Sequence, residues 1–230
     1  MMVEKTISEF LSSEYKEFAM YVIEGRAIPS VIDGFKPTQR KIIHISNQTW
    51  KTGSEKTLKV FQLSGKVASD CYYHHGDASL SNAIITMAQR FKNNAPLLEE
   101  DGQFGSLRSP QAGAPRYIGT KLSENFKLSY KDFELLEYKE EEGELIEPHY
   151  FLPIIPTILL NGSSGIAVGF YSNILNRDIR DIIDSCTKVL AGKKQSLIKP
   201  SLNEFTGEFI QDKENSKRIV INVNLKMIFL

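Results

Sequence analysis

The stretch AGAPRYI at residues 112–118 sets a phenol, Tyr117, beside a guanidinium, Arg116, at the end of a run with almost no side-chain bulk. Tyrosine is a weak nucleophile at neutral pH, because with a pKa of about 10 only roughly one phenol in a thousand is ionised. A tyrosine that attacks phosphorus therefore needs a neighbouring cation, base or metal. Arg116 could neutralise a phosphorane-like transition state. On the dipeptide alone, a chance pairing with an ordinary surface tyrosine is the plainer reading by far.

Two further stretches have chemical content. YHHGD at 73–77 carries adjacent His74 and His75. Without a third ligand at helical spacing they make a weak metal site. They suit hydrogen bonding or proton movement beside a helix N-terminus better. NGSSGIAVGF at 161–170 gathers Gly162, Gly165 and Gly169 around Ile166 and Val168. It lacks the G-x-x-x-x-G-K-[ST] pattern of a phosphate-cradling loop. It reads either as a close-packed turn between strands or as backbone approaching a ligand, with Ile166 projecting as an apolar wedge. The sequence has no nucleotide-binding signature and no D-x-D pair for a divalent metal. ATP or magnesium chemistry would have to come from another polypeptide.

Charge is balanced overall, with 28 basic and 28 acidic residues, but it is unevenly distributed. Residues 26–66 hold Arg26, Lys36, Arg40, Lys41, Lys51, Lys56, Lys59 and Lys66 against Asp33 and Glu55. Residues 132–147 hold eight acids against Lys139 alone. Such a local excess can face a phosphate backbone despite a net charge of zero, although a solvated face of lysines is the plainer reading. Cys71 and Cys186 fit no metal or redox spacing, which predicts a reduced, intracellular protein. The N-terminus lacks a signal-peptide core, and the apolar run YFLPIIPTILL is too short to span a bilayer. No membrane association is expected.

These groups need elements to hold them. Leu11, Tyr15, Phe18 and Val22 predict a helix over 7–24. Asp33-Gly34 reads as a turn, and Pro37 as the first turn of the next helix. Val60, Val67 and Cys71 predict a helix over 57–72. Leu80, Ile84, Met87 and Phe91 predict another, capped by Asp77 or Ser79. The two, joined through Gly76, form a helix-turn-helix. Residues 96–117, rich in glycine and turns, read as a β-wing. A helix is predicted over 118–136 from Leu122, Phe126 and Phe133. An acidic solvated connector follows, then a strand at 151–160, a helix at 176–192 and strand-like segments within 205–224. The fold class is α+β: a winged-helix-type domain followed by the start of a β-containing domain.

In order, EGRAIPSVIDGFKPTQRKI, YHHGDASL, DGQFGSLRSPQAGAPRYIGTKL and PTILLNGSSGIAVGF resemble the DNA breakage-and-reunion region of type IIA DNA topoisomerases. In character they are nearest to the phage T4-type medium subunit. The resemblance implies an N-terminal helical arm at 1–25, a winged-helix cleavage domain at 26–147 and the beginning of a tower domain at 148–230. It implies that Tyr117 attacks a backbone phosphate and becomes joined to the 5′ end, with Arg116 supporting the transfer. Arg26, Lys36, Arg40 and His75 would hold DNA, and Ile166 would wedge between base pairs. It implies no metal or cofactor in this chain: Mg2+ and ATP would sit on a separate ATPase–Toprim subunit. The expected partners are double-stranded DNA, a second copy of the chain and that ATPase–Toprim subunit, in a cytoplasm that is the host's if the chain is phage-encoded. The tail RIVINVNLKMIFL does not match the expected continuation. The competing expectation is a module that binds DNA or a partner without strand passage.

Overall fold

The first two helices are held by local bonds. In the computed structural model, which describes residues 5–212 and 219–222 apart from 52, 54, 55, 196, 204 and 206, α1 (Ile7–Ser12) opens on a reciprocal cap. The Glu9 N–H donates to the Thr6 hydroxyl, and the Thr6 N–H donates to the Glu9 carboxylate at 2.8 Å. The single helix predicted over 7–24 breaks at Ser13, whose hydroxyl and N–H both turn back to the Glu9 carbonyl. The chain resumes as α2 (Glu14–Val22), and neither helix buries a residue.

A π turn over Ile23–Ala27 leads toward α3 (Pro37–Trp50). Pro37 presets the first-turn geometry and needs no N–H there. The Gln39 side chain accepts from the Lys36 N–H at 2.9 Å, securing the start. Ile42, Ile43, Ile45 and Trp50 of α3 lie in the main core. A two-residue strand, β1 (Leu58–Lys59), precedes α4 (Val60–Asp70), so the helix begins three residues later than its sequence span of 57–72. α5 (Asp77–Ala88) follows, and Leu63 and Val67 share the core with Leu80 and Ile84. This is the predicted helix-turn-helix. β2 (Leu98–Asp101) and β3 (Gly119–Leu122) pair antiparallel, with β1 on the far edge of β3. The order β1-β3-β2 is the wing, and the loop between β2 and β3 carries Tyr117.

Three sequence expectations need correction. The helix over 118–136 is instead β3, then α6 (Glu124–Ser129), then a 3-10 turn at Phe133–Leu135. Leu122 and Phe126 have helical spacing, but Leu122 stands opposite Leu98 in the sheet. The acidic connector is a hairpin of β4 (Tyr138–Glu141) and β5 (Glu144–Pro148). Its Glu147 is buried, accepting from Lys41 Nζ at 2.8 Å and Lys139 Nζ at 3.2 Å. The strand over 151–160 is an irregular run ending in α7 (Thr157–Asn161).

Phe35, Phe126, Tyr130 and Phe151 form an aromatic nest, with centroids 4.9 to 6.0 Å apart in the contacting pairs. Offset and edge-on pairs of this kind favour one arrangement beyond simple burial. The nest fixes the turn at Asp33 against residues beyond 147. The hairpin of β6 (Ser163–Ile166) and β7 (Tyr171–Ile174), α8 (Ile179–Leu190), and the pair β8 (Glu208–Gln211) and β9 (Ile219–Asn222) complete the described chain. The tail at 223–230 lies outside the described residues. Among the described residues, no helix is long and apolar enough to cross a membrane.

Candidate nucleic-acid interface and tyrosine site

A groove of about 1070 Å3 runs between the π turn, the start of α3, the turn before α5 and the β6–β7 hairpin. Arg26, Lys36, His75 and Lys92 contribute to its lining. Arg26 Nη2 lies 3.0 Å from His75 Nδ1. A guanidinium can only donate, so Nδ1 is the acceptor and the proton sits on Nε2. Burial, then Arg26, then His74 push the His75 pKa below its ordinary value, which matches a neutral ring. His75 is thereby left as an Nε2–H donor, the form that can bind an anionic oxygen at pH 7. Its neighbour His74 meets Glu141 of the acidic hairpin at 3.1 Å.

Lys36 projects from the cap of α3 and donates to the Ser164 carbonyl at 2.6 Å. Burial pushes its pKa down. The β6–β7 hairpin sits directly against the π turn: a Cβ on Gly165 would lie 2.3 Å from the Ala27 carbonyl oxygen, so only glycine permits this approach. Ile166, next along, is 82% exposed and has no core role.

Tyr117 stands on a separate rigid turn and is 72% exposed. Its N–H donates to the Ala114 carbonyl at 2.9 Å. Helix α4 presents its first two amides to the same segment. Val60 N donates to the Ile118 carbonyl at 3.0 Å, and Phe61 N to the Pro115 carbonyl at 3.1 Å. These are amides that a helix start otherwise leaves without partners. Lys59 Nζ adds a bond to the Tyr117 carbonyl at 2.9 Å. The backbone is fixed from three sides while the phenol remains in solvent, with the Arg116 guanidinium carbon 5.8 Å from the ring centroid.

The structure thus gathers Arg26, Lys36 and His75 in one groove and places Ile166 just past its Ser164 wall. Arg116 and Tyr117 lie outside that lining. Arg40, expected on the DNA face, is buried. Its Nε and Nη2 donate to the two Asp33 oxygens at 2.7 and 3.0 Å, and Nη2 also reaches the Phe35 carbonyl. Arg40 is a scaffold group, because contact with a phosphate would break a fully buried pair. Lys41 is likewise bound to Glu147 and the Cys71 carbonyl, so the basic excess at 26–66 is partly internal. Sequence reasoning missed Lys59 and Lys92. Lys59 acquires its role only through the pairing of β1 with β3, which no local pattern records.

The family model for the gyrase A-type subunit of DNA gyrase/topoisomerase IV matches residues 26–226. The chain belongs to this family. The match extends into the tail expected to depart from it. The chain is 40% identical over 207 residues to the DNA topoisomerase medium subunit of Enterobacteria phage T4, covering 90% of this chain and 46% of that protein. It is 39% identical over 213 residues to DNA topoisomerase 2 of Plasmodium falciparum, covering 89% and 15%. Among solved structures, it superposes on the Plasmodium falciparum topoisomerase II DNA-binding, cleavage and re-ligation domain with a TM-score of 0.80 at 38% identity. That superposition covers 90% of this chain and 28% of the other. The chain spans under half the length of each of these relatives.

Proposed function

We propose that this chain is the DNA-cleaving part of a type II DNA topoisomerase and that Tyr117 is its nucleophile. The carrying observation is the tyrosine turn: an exposed phenol beside Arg116 on backbone held by α4, Lys59 and Ala114. In the reaction the phenolic oxygen loses its proton and attacks a backbone phosphorus. A bond forms from Tyr117 to the 5′-phosphate, and the bond to the 3′ oxygen breaks, releasing a 3′ hydroxyl. The ester retains the free energy of the broken phosphodiester, so the reverse attack reseals the strand without ATP. Arg116 neutralises charge developing on the phosphoryl oxygens.

The groove with Arg26, Lys36 and His75 would hold the duplex, and Ile166 would enter a base step. Kinking a duplex with an apolar wedge costs a few kcal/mol of unstacking, offset when bent DNA meets more basic surface. Two copies would cut opposite strands. Mg2+ and ATP are assigned to a separate ATPase–Toprim subunit, as the resemblance implies.

The position of Tyr117 outside the groove lining favours a second reading, in which the chain binds DNA without cutting it. One experiment separates them. The chain is incubated with DNA and the partner subunit, denatured with detergent and assayed for protein on 5′ ends. Covalent product from the native chain and none from Tyr117→Phe, with DNA affinity unchanged, is the expected result. Arg116→Ala should slow its formation about a hundred-fold. Covalent product persisting in Tyr117→Phe would remove the assignment.

A further inference from the structure

Gln89 lies just past the C-terminus of α5, with its N–H donating to the Ile85 carbonyl at 3.1 Å and its side chain buried. Its amide nitrogen reaches into the loop that delivers the tyrosine. Nε2 donates to the Phe104 carbonyl at 2.7 Å and to the Pro110 carbonyl at 3.3 Å. Those carbonyls belong to opposite limbs of one loop. Gly113 N donates to the Gln103 carbonyl at 2.9 Å and closes its neck, while Ser106 N donates to the Ser109 carbonyl at 2.8 Å near its tip. The limbs touch so closely that a Cβ on Gly105, at φ +87°, would meet the Pro110 carbonyl at 2.8 Å. From the neck the return limb runs through Ala114 and Pro115 directly into Arg116 and Tyr117.

We propose that Gln89 is a positioning residue for Tyr117, a two-pronged staple that fixes the loop from which the phenol is presented. The residue type follows from the acceptors. Two converging carbonyls need two donors from one terminus without a buried charge, which an amide NH2 supplies. A carboxylate supplies none, a thioether none, and asparagine falls one methylene short. The same carbonyls fix which way the amide points, since its oxygen would face two acceptors if turned over. That oxygen, Oε1, has no hydrogen-bond partner among the described residues. An unpaired acceptor in a buried site has a free-energy cost, so nothing on its own side holds the amide in place; the two loop bonds do. α5 consequently links the site's parts, with the His75 turn at its start and the tyrosine loop at its end.

The inference rests on Tyr117 being the nucleophile, and the test has one arm that does not. Gln89→Met keeps length and burial but has no donor. In the full chain, amide exchange at Gly113 and Tyr117 should quicken about tenfold, while exchange along α3 stays unchanged. With DNA and the partner subunit present, covalent-complex formation should slow tenfold or more at unchanged DNA affinity, because small misplacements of a reacting group carry large rate effects. Gln89→Glu supplies a second signature: its neutral acid keeps one donor and its ionised form none. Its rate deficit against the native chain at the same pH should therefore grow as pH rises. Native exchange at Gly113 and Tyr117 in Gln89→Met, or a Gln89→Glu deficit that ignores pH, overturns the staple. Absence of covalent product from the native chain would instead sink the assignment of Tyr117, and the exchange arm would still decide on Gln89. If Gln89→Met does not fold, both measurements are made on Gln89→Glu across pH.

Discussion

Removing the carboxylate of Asp33 should test whether Arg40 belongs to the scaffold or to the DNA face. Asp33 is fully buried and its two oxygens take four donors. Oδ1 accepts from Phe35 N and Arg40 Nη2, each at 3.0 Å, and Oδ2 from Arg40 Nε at 2.7 Å and Phe151 N at 3.0 Å. Asp33→Ala strands a buried guanidinium and two backbone amides. Breaking a buried pair from one side costs about 3–5 kcal/mol. The stranded amides add to this, less than additively because water can enter the space left behind. For a domain of this size each kcal/mol shifts melting by about 2–4 °C, so melting should fall by roughly 6–20 °C. Arg40→Gln should cost a similar amount, since it leaves Asp33 charged and buried. The decisive measurement is the salt dependence of DNA binding, taken well below melting. Each phosphate contact contributes about 0.9 to the slope of log affinity against log salt. A guanidinium neutralised by Asp33 releases no counterion from DNA. Arg40→Gln should therefore change the slope by less than about 0.3, and Arg26→Gln by about 0.9. A slope change near 0.9 for Arg40→Gln, with melting unaffected, would refute the reasoning.

Other outcomes follow from burial and charge. Ile166 is 82% exposed, so Ile166→Ala should leave stability within about 0.5 kcal/mol while reducing bending of a fluorescently labelled duplex; a large melting loss with unchanged bending would contradict the wedge. Burial holds the His44 pKa below its ordinary 6.5, with Glu147 pulling it up and Lys41 pushing it down more weakly. The unfolded chain then takes up the proton first, so this contribution is complete above about pH 6.5 and is lost as pH falls toward the folded value. His44→Gln should flatten part of the decline in urea midpoint between about pH 7.5 and about pH 5.5, His75 supplying another part. Burial and then Glu147 push the Cys71 thiol up to about 12. In the native chain iodoacetamide should modify Cys186 and spare Cys71, as mass spectrometry of the digest would show.

Much of the frame is readable from the sequence because it is local. Pro37 marks the start of α3, the apolar spacing of Leu80, Ile84 and Met87 gives α5, and the small residues before Arg116 and Tyr117 mark an exposed turn. What escapes is non-local. β3 reads as helix because Leu122 and Phe126 have helical spacing, whereas its ladder partners Leu58, Glu99 and Glu100 are more than twenty residues away or on the opposite side of the loop. The β4–β5 hairpin hides behind its acids because one of the two lysines that pair with buried Glu147, Lys41, is 106 residues earlier. Arg40 reads as surface charge because nothing in its own helix shows that the turn seven residues back returns a carboxylate to it. Gln89 is simply a polar residue after a helix until its two carbonyls are in view.

The Lys36–Ser164 contact has a mechanical consequence. An ammonium carries three hydrogens, and the Ser164 carbonyl takes one. Two remain for an anion in the groove that the same side chain lines. Such an anion would then be a single nitrogen away from the strand that carries Ile166 at its end. The spacing between a held phosphate and the hairpin tip is set by the length of that side chain together with the close approach of Gly165 to the Ala27 carbonyl. Arginine in that position would keep the charge and change the gauge.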